Sequence, residues 1–319
     1  MPLHISMMHC AVRVIGSIRD PKRKTGERRG PIGTGFFITV ASETHADLRY
    51  GYVVTADHVI WDQNQIEVQA PDPTQNGALH PPIDIDGWRK PLADVDLAIA
   101  PFNYGNTDYR LYQALQLERQ VLPLGDIPDL WARIHYIGIL VPLHRPMARS
   151  GTICALEQRG IEHDGGYDYP AHLVDCRSYG GFSGSPCFVE TAFASLTPIP
   201  PQPLIEGAMG PVGLLQYRAV LCGMFTEHLS DRSGDIPASR YGVGVMVRSD
   251  EIREALMNDD SRKELQEWDA YEAAKQDDTP KLIGASPVVA GEYEHFESLA
   301  RKLVNTPKKE IDEKRKGES

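Results

Sequence analysis

The chain has 319 residues, of which 41% are hydrophobic, and its formal net charge is -11 at pH 7. That length exceeds one average domain and is enough for a core in two lobes plus an extension. The negative charge argues against nucleic-acid binding through a broad basic surface. The one local exception, a basic stretch over residues 22–29 among Gly and Pro, is interpreted as a solvated surface loop.

The cysteines show no metal-binding spacing, and their odd number argues against a complete disulfide framework. They are Cys10, Cys154, Cys176, Cys187 and Cys222. Three of them, Cys154, Cys187 and Cys222, lie in apolar runs, where a thiol behaves as a small buried hydrophobe. The N-terminus lacks the basic segment of a secretory signal, and the longest apolar run is too short to span a bilayer. We therefore expect a cytoplasmic location, no membrane association, and neither a metal nor an organic cofactor.

Short apolar runs bounded by Gly, Pro, Asn and Asp predict strands from about residue 9 to residue 248. No helical pattern of about 10–15 residues separates consecutive strands, which disfavours a parallel βαβ sheet and favours barrels or sandwiches. The first set of strands is predicted at residues 10–18, 35–40, 50–55, 66–70 and 97–101. The second set is predicted at residues 133–140, 151–157, 172–176, 186–189, 220–226 and 241–247. Residues 115–130 contain two prolines and are predicted to link the sets.

The pattern becomes helical after residue 248. Acidic residues follow Ser249, which predicts a helix start, and residues 261–264 (SRKE) form a predicted capping box. Leu265, Trp268 and Tyr271 then recur on one stripe of a helix. A linker containing Pro and Gly follows at residues 276–291, and apolar residues at helical spacing return over residues 293–303.

One serine lies in a tight turn between two hydrophobic runs, at residues 181–186 (GFSGSP). Glycines on both sides of Ser183 allow the backbone to turn sharply and to aim its N–H groups. A serine hydroxyl is a poor nucleophile unless a base removes its proton and backbone N–H groups stabilise the resulting oxyanion. The motif therefore makes Ser183 a candidate nucleophile.

A histidine and two aspartates precede that serine at the ends of predicted strands. His58 lies in a TADHV segment, and Asp94 and Asp96 lie in a DVDLAI segment. The order His, Asp, Ser is that of the chymotrypsin-type triad and differs from the subtilisin and α/β-hydrolase orders. Strand alternation would put Asp94 and Asp96 on one face, so spacing alone does not choose between them.

These motifs give residues 10–257 a resemblance to the trypsin/chymotrypsin-like serine peptidases. Ser183 matches the nucleophile of that family's G-x-S-G-G-P motif, and His58 matches the histidine of its T-A-A-H motif. Asp96, rather than Asp94, matches the aspartate that opens its D-[IL]-A-[LI] strand. The resemblance implies a serine endopeptidase that acts on a protein or peptide substrate through an acyl-enzyme. It also implies that the backbone N–H groups of Gly181 and Ser183 form the oxyanion hole.

The resemblance further implies a mostly β fold of two six-stranded antiparallel β-barrels, to which this chain adds a C-terminal helical extension. The peptidase domain is expected at residues 1–257. Its barrels are expected at about 9–118 and 131–248, and its closing helix at 249–257. The charged helical extension is expected at 258–319.

The chain is most similar to the bacterial, disulfide-free Deg-type branch of that family, without a recognisable PDZ-like domain. Asp175, eight residues before Ser183, and a YGVGV segment at residues 241–245 match that branch. Phe182 stands where the digestive enzymes have an aspartate that pairs with a newly cut N-terminus. We therefore predict that activity does not depend on zymogen cleavage near residues 10–15.

Two further positions bear on specificity and on the turn. Ser185 replaces the second glycine of the family motif and adds a side chain beneath the nucleophile. Arg177 falls where the family often places the floor of the primary specificity pocket, and there it would favour acidic side chains before the cut. The alternative for Arg177 is a solvent-facing loop residue.

The leading interpretation is a regulated intracellular serine endopeptidase. An alternative of a different class is a catalytically idle trypsin-like domain that serves as a protein-binding module. A third hypothesis is an effector that a regulatory protein partner switches on through the C-terminal helices. No nucleic-acid partner is expected.

Overall fold

The structure is a computed structural model, and it describes residues 10–19, 27–45, 48–61, 63–71, 83–102, 114–139, 146–159, 161, 167–176, 181–194, 215–228 and 242–278. The strands are β1 Ala11–Arg19, β2 Glu27–Ala41, β3 Arg49–Thr55, β4 Glu67–Gln69, β5 Ile83–Asp84, β6 Ala98–Phe102, β7 Leu115–Gln116, β8 Arg133–Ile139, β9 Pro146–Gln158, β10 Ala171–Asp175, β11 Ser185–Ala194, β12 Leu215–His228 and β13 Val243–Arg248. The helices are α1 Asp57–Ile60, α2 Leu117–Gln120, α3 Ser249–Met257 and α4 Asp259–Asp278. The fold is mostly β, as the sequence predicts.

The second lobe is a closed barrel of six antiparallel strands in the order β10-β13-β12-β11-β8-β9. Closure removes the exposed sheet edges, which would otherwise invite pairing with other chains. The long pairing of β11 with β12 runs from the Ser185–Phe225 pair to the Ala194–Leu215 pair. All six strands predicted for this lobe are present. Several are longer than predicted, because hydrogen bonding continues past the apolar run that marks a strand in the sequence.

The first lobe differs from the predicted closed barrel. Its antiparallel order is β5-β4-β1-β2-β3-β6, and the short β7 pairs with β2 in parallel. Within the described residues, a single bridge between Arg89 and Ile99 connects the segment after β5 to β6. The reason is that β5 has only two residues, which is too short to form a ladder with the strand at the far end of the order. The result is a curled sheet.

The basic stretch predicted as a surface loop lies partly in β2. Arg28 and Arg29 are exposed strand residues, and Arg29 pairs with Glu67 of β4 at 3.0 Å. Its guanidinium also donates to the Gln65 carbonyl at 3.0 Å. The strand was not predicted because its residues are polar and show no apolar alternation. An ion pair that reaches across β1 to β4 supports it instead. Residues 20–26 lie outside the described residues.

Three buried clusters fill the core. One lies within the first sheet around Phe37, and a second lies within the barrel around Tyr136 and Phe225. The largest cluster draws side chains from both lobes and from α3 and α4. It includes Phe36, Tyr52, Ile99, Phe188, Leu221, Val247, Leu256 and Leu265. Apolar burial of this kind stabilises a fold by about 1.5–3 kcal/mol for each large side chain, which fixes the lobes against each other.

Helix α4 begins differently from the prediction. The Asn258 side chain accepts the Ser261 N–H at 2.9 Å, so Asn258 caps the helix three residues earlier than the predicted box. Leu265 is buried, and the Trp268 ring packs against Tyr50 at a centroid distance of 5.0 Å. Tyr271, predicted on the same stripe, is exposed.

Polar contacts also fasten α4 to the first lobe. Arg89 pairs with Glu264 at 2.7 Å, and Asp269 accepts hydrogen bonds from Ser42, at 2.6 Å, and from the Tyr50 hydroxyl. Residues 1–269 form one compact unit, and residues 270–319 form a second. Residues 279–319, which include the predicted helical repeat at 293–303, lie outside the described residues. Among the described residues, no helix combines the length and apolar character that crossing a bilayer requires.

All five cysteines are free thiols. Cys187 and Cys222 are buried as predicted, whereas Cys154, on strand β9, is only partly buried. Burial raises the pKa of the Cys176 thiol to about 11 and that of Cys222 to about 12. Both therefore remain protonated and weakly nucleophilic at neutral pH.

Candidate active site

His58 lies in a short helix that begins directly after strand β3. The strand ends at Thr55 and helix α1 covers Asp57–Ile60. The His58 Nδ1 lies 2.7 Å from Asp96 Oδ2, and the His58 backbone N–H donates to Asp96 Oδ1 at 3.0 Å. A carboxylate only accepts, so Nδ1 carries the proton that points at Asp96. This two-point contact fixes both the backbone and the ring of His58.

The structure brings Asp96, not Asp94, to the histidine. Asp96 is 1% exposed, whereas Asp94 is exposed to solvent. The expectation that both share one face was wrong, because β6 begins only at Ala98 and the residues before it form turns. Strand alternation therefore does not apply to them.

Ser183 lies in a turn whose glycines adopt left-handed backbone conformations. Gly181 has φ +98° and Gly184 has φ +86°. The Ser185 N–H closes the turn on the Phe182 carbonyl at 2.9 Å, and strand β11 starts at Ser185. Non-glycine residues adopt these φ values only at a cost, so the GFSG spacing in the sequence has a direct backbone cause.

The serine turn is fastened to the first lobe. The Thr34 N–H of β2 donates to the Ser183 carbonyl at 2.8 Å. A Cβ on Gly184 would lie 1.8 Å from the Thr34 carbonyl oxygen and 2.5 Å from Thr55 Oγ1. A Cβ on Gly33 would meet both the Val59 side chain, at 2.6 Å, and the Ser183 carbonyl, at 3.2 Å. The turn thus packs against the end of β3, three residues before His58. The contact of the Ser183 hydroxyl with His58 stays a prediction.

Phe182 anchors the turn in the barrel core. It is fully buried, and its ring lies so close to Gly138 that a Cβ there would be 2.3 Å away. It also makes an edge contact with Tyr136, with ring centroids 5.6 Å apart. The position that the digestive enzymes fill with a charged partner is therefore filled here by apolar packing.

Ser185 is also fully buried, beneath the turn. Its Oγ has no hydrogen-bond partner among the described residues. A buried hydroxyl without a partner costs about 1–3 kcal/mol, so the fold accepts this residue at a measurable cost in stability.

A tyrosine of the second lobe contacts the histidine helix, which the sequence did not reveal. The Tyr167 hydroxyl donates to Asp57 at 2.9 Å, and Lys90 lies 3.5 Å from the same carboxylate and 4.3 Å from the Tyr167 ring centroid. The Asp168 N–H donates to the Asp94 carbonyl at 3.1 Å. Residues 167–168 thus hold the two first-lobe segments that carry His58 and Asp96.

Tyr169 continues this contact into the core. Its hydroxyl lies 3.4 Å from Thr226 Oγ1, and Thr226 in turn donates to the Val245 carbonyl. Burial and the negative charge of Asp96 raise the pKa of Tyr169. Tyr169 is therefore a neutral phenol at neutral pH.

The other predicted positions divide into two groups. Gly181 and Ser183, the expected oxyanion donors, lie in one turn as described. Arg177 lies outside the described residues. Within the described part of the chain, no group of three or more His, Cys, Asp or Glu side chains is arranged to hold a metal ion.

Sequence comparison identifies the family. Residues 33–192, half of the chain, match the family described as trypsin-like peptidase domain. The chain belongs to this family. No curated protein matches it.

Known structures similar to this trypsin-like chain include the MamO protease domain from Magnetospirillum magneticum. The identity is 14% and the TM-score 0.51, with 80% of this chain and 100% of that domain covered. Two structures of the HtrA-type protease AlgW with a decapeptide are also 14% identical, with TM-scores of 0.47 and 0.44. They cover 79% of this chain, which spans 64% and 65% of their length. At this identity, the likeness to MamO concerns the fold alone.

Proposed function

We propose that this trypsin-like domain is a serine endopeptidase that uses Ser183, His58 and Asp96. The observation that carries the proposal is the two-point contact of His58 with the buried Asp96 carboxylate. A merely structural histidine needs one partner, whereas this one has its ring and its backbone fixed by the same acid. The packing of the Ser183 turn against Thr55, just before His58, supports the third member.

The chemistry begins with the tautomer of His58. Because Nδ1–H donates to Asp96, Nε2 is left as the basic nitrogen. Nε2 takes the Ser183 proton as the hydroxyl oxygen attacks the peptide carbonyl, and the imidazolium formed is stabilised by the Asp96 charge. The same proton is then given to the leaving amine as the C–N bond breaks.

The oxyanion of the tetrahedral intermediate needs donors that are already in position. We propose the backbone N–H groups of Gly181 and Ser183, each of which contributes about 3 kcal/mol in related systems. Loss of the amine leaves an acyl-enzyme on Ser183. His58 takes a proton from water as the water oxygen attacks the ester carbonyl, and it gives that proton to the Ser183 oxygen as the acyl–oxygen bond breaks.

The test uses an active-site-directed fluorophosphonate probe. The folded protein should be labelled, and Ser183→Ala should abolish the labelling. Ser185→Ala is the matched control, since its buried hydroxyl has no partner to lose. Failure of the well-folded wild-type protein to react under any condition would favour the catalytically idle, protein-binding alternative.

A second pair of variants tests the acid. Asp96→Asn should slow labelling by about 10⁴-fold, because an amide in that position no longer selects the productive imidazole tautomer. Asp94→Asn, two residues away and exposed, should label at the wild-type rate. Equal rates for the two variants would remove Asp96 from the mechanism.

We also propose that this peptidase acts in the cytoplasm on protein substrates and that a protein partner regulates it through the C-terminal helices. Free, mostly buried cysteines suit a reducing compartment. Because the first compact unit ends at Asp269, a chain that stops there retains the docked half of α4. We expect its labelling rate to differ from that of the full chain, and equal rates would argue against control by the tail.

A preference for acidic residues that is unchanged in Arg177→Ala would exclude the specificity role of Arg177.

A further inference from the structure

Thr34 of strand β2 contacts the serine turn through its backbone N–H and its hydroxyl. It is fully buried. Its N–H donates to the Ser183 carbonyl at 2.8 Å, and its hydroxyl donates to the Gly181 carbonyl at 2.7 Å. Its own carbonyl accepts from the Thr55 hydroxyl at 2.7 Å. One residue of the first lobe thus bonds to both residues whose N–H groups are the proposed oxyanion donors, through its side chain at Gly181 and through its backbone at Ser183.

The direction of the Thr34 hydroxyl is fixed by a third element. The Ile139 N–H, at the end of β8, donates to Thr34 Oγ1 at 3.1 Å. The hydroxyl oxygen therefore serves as acceptor for Ile139, and its single proton is directed at the Gly181 carbonyl. Such a chain of hydrogen bonds strengthens each member, because every donor is polarised by the bond that it accepts.

Gly181 needs this support because packing does not hold it. It has φ +98°, and a Cβ there would find its nearest neighbour 3.9 Å away, so the space around it is open. A glycine in open space moves readily among several backbone conformations. On one side the buried Phe182 fixes the chain, and at Gly181 itself the Thr34 hydroxyl fixes the carbonyl. The orientation of the peptide plane that joins Gly181 to Phe182 therefore depends on a hydrogen bond and not on packing around Gly181.

We propose that Thr34 is a positioning residue that orients the oxyanion-binding turn, an inference that rests on the proposed peptidase function. Thr34 touches no reacting atom. It holds the carbonyls of Gly181 and Ser183, and so fixes the peptide planes that join Gly181 to Phe182 and Ser183 to Gly184. The backbone path between these two planes carries Ser183, and its first residue is Gly181, so Thr34 orients the turn from which the proposed donor N–H groups project. The first lobe thus supplies a support for the oxyanion hole as well as the base and the acid.

The test is saturable labelling with a fluorophosphonate probe, which separates the maximal labelling rate from the probe concentration that gives half of it. Thr34→Val has the same shape but no hydroxyl, and it should lower the maximal rate by about 10–100-fold, somewhat less than the loss of an oxyanion donor itself. The half-saturating concentration should change less than about threefold. Thr34→Ser keeps the hydroxyl and should label at close to the wild-type maximal rate. Thr34→Cys has a weakly donating thiol, and its maximal rate should lie between those of Thr34→Ser and Thr34→Val.

Thr39→Val is the matched control. Thr39 lies on the same strand and is buried, and its hydroxyl donates to the Leu115 carbonyl at 3.2 Å, away from the serine turn. It should label at the wild-type rate. A loss equal to that of Thr34→Val would mean that any buried hydroxyl of β2 matters equally, and it would overturn the inference.

The remaining outcomes separate the two proposals. A labelled wild-type protein together with an undiminished Thr34→Val rate overturns the role of Thr34 and leaves the peptidase function intact. If Thr34→Val does not fold, a wild-type rate for Thr34→Cys overturns it in the same way. An unlabelled wild-type protein overturns the peptidase function and, with it, the role of Thr34.

Discussion

Replacing Gly184 by alanine is expected to be among the most damaging single changes in the chain. Gly184 follows the proposed nucleophile and has φ +86°. An added Cβ would lie 1.8 Å from the Thr34 carbonyl oxygen and 2.5 Å from Thr55 Oγ1. Because the first of these atoms is backbone, relief of the clash requires strand β2 or the turn to move by more than an ångström.

The cost has two parts. An alanine in the left-handed region costs about 1–2 kcal/mol whatever its surroundings. Moving the Thr34 carbonyl disrupts the hydrogen bond from Thr55, and moving the turn disrupts the one from Thr34 to Ser183. Buried groups left without partners cost about 1–3 kcal/mol each. One broken hydrogen bond leaves two such groups, so we expect the free energy of unfolding to fall by about 3–8 kcal/mol in total.

Gly125→Ala provides the matched control. Gly125 has φ +81°, yet no atom lies within 4 Å of the position that its Cβ would occupy. The free energy of unfolding of Gly125→Ala should fall only by the cost of the left-handed backbone conformation, about 1–2 kcal/mol. Urea denaturation followed by tryptophan fluorescence measures both variants. A difference of less than about 1 kcal/mol between them would refute the argument that the Thr34 contact, and not φ, makes Gly184 obligatory.

Three further predictions concern stability and activation. Burial, with a contribution from Arg248, lowers the pKa of His172 from 6.5 to about 4, so the unfolded state binds more protons between these values and stability rises with pH there. His172→Gln should remove up to about 3 kcal/mol of that pH dependence in urea titrations from pH 4 to 7, and an unchanged dependence would contradict the assignment. Asp269→Ala leaves the hydroxyls of Ser42 and Tyr50 without their acceptor and should lower the free energy of unfolding by about 2 kcal/mol; a loss below about 0.5 kcal/mol in the same assay would mean that Asp269 does not fasten α4. The uncleaved chain should react with the fluorophosphonate probe, because Phe182 fills the core by itself, and reaction only after proteolysis near residues 10–15 would contradict this.

Local signals in the sequence predicted the parts of the site that local backbone geometry determines. The glycines around Ser183 mark positive φ values, and the apolar runs before His58 and after Asp96 mark strands. The trypsin-like fold followed from the order of these motifs. The choice of Asp96 over Asp94 came from the family pattern, because the expected strand alternation put both residues on one face. The structure has turns before β6, so that alternation does not apply.

The supports of the site were not predictable from local patterns. Thr34 and Gly181 are 147 residues apart in the chain, and no pattern around either residue indicates the other. Tyr167 reaches Asp57 across the two lobes in the same way. These contacts depend on how the lobes pack, which is a property of the whole core and not of any segment.

The shape of the first lobe and the start of α4 were missed for the same reason. β5 has two residues and α4 starts from an asparagine cap, and both signals are too short to stand out in a sequence. Trp268 and Asp269 of α4 contact Tyr50 of the first lobe, and the first compact unit ends at residue 269. Tertiary contacts, not helix propensity, determine where that unit ends.

An aromatic ring, rather than an ammonium–carboxylate pair, secures the segment before Ser183, and this alters how the segment responds to solvent. An α-amino group loses its proton near pH 8, and high salt screens a pair that is not fully buried. The Phe182 ring carries no charge that could be titrated or screened, so its packing in the core does not depend on high pH or high salt. The stabilisation that this packing provides decreases at low temperature instead, because the hydrophobic effect weakens on cooling.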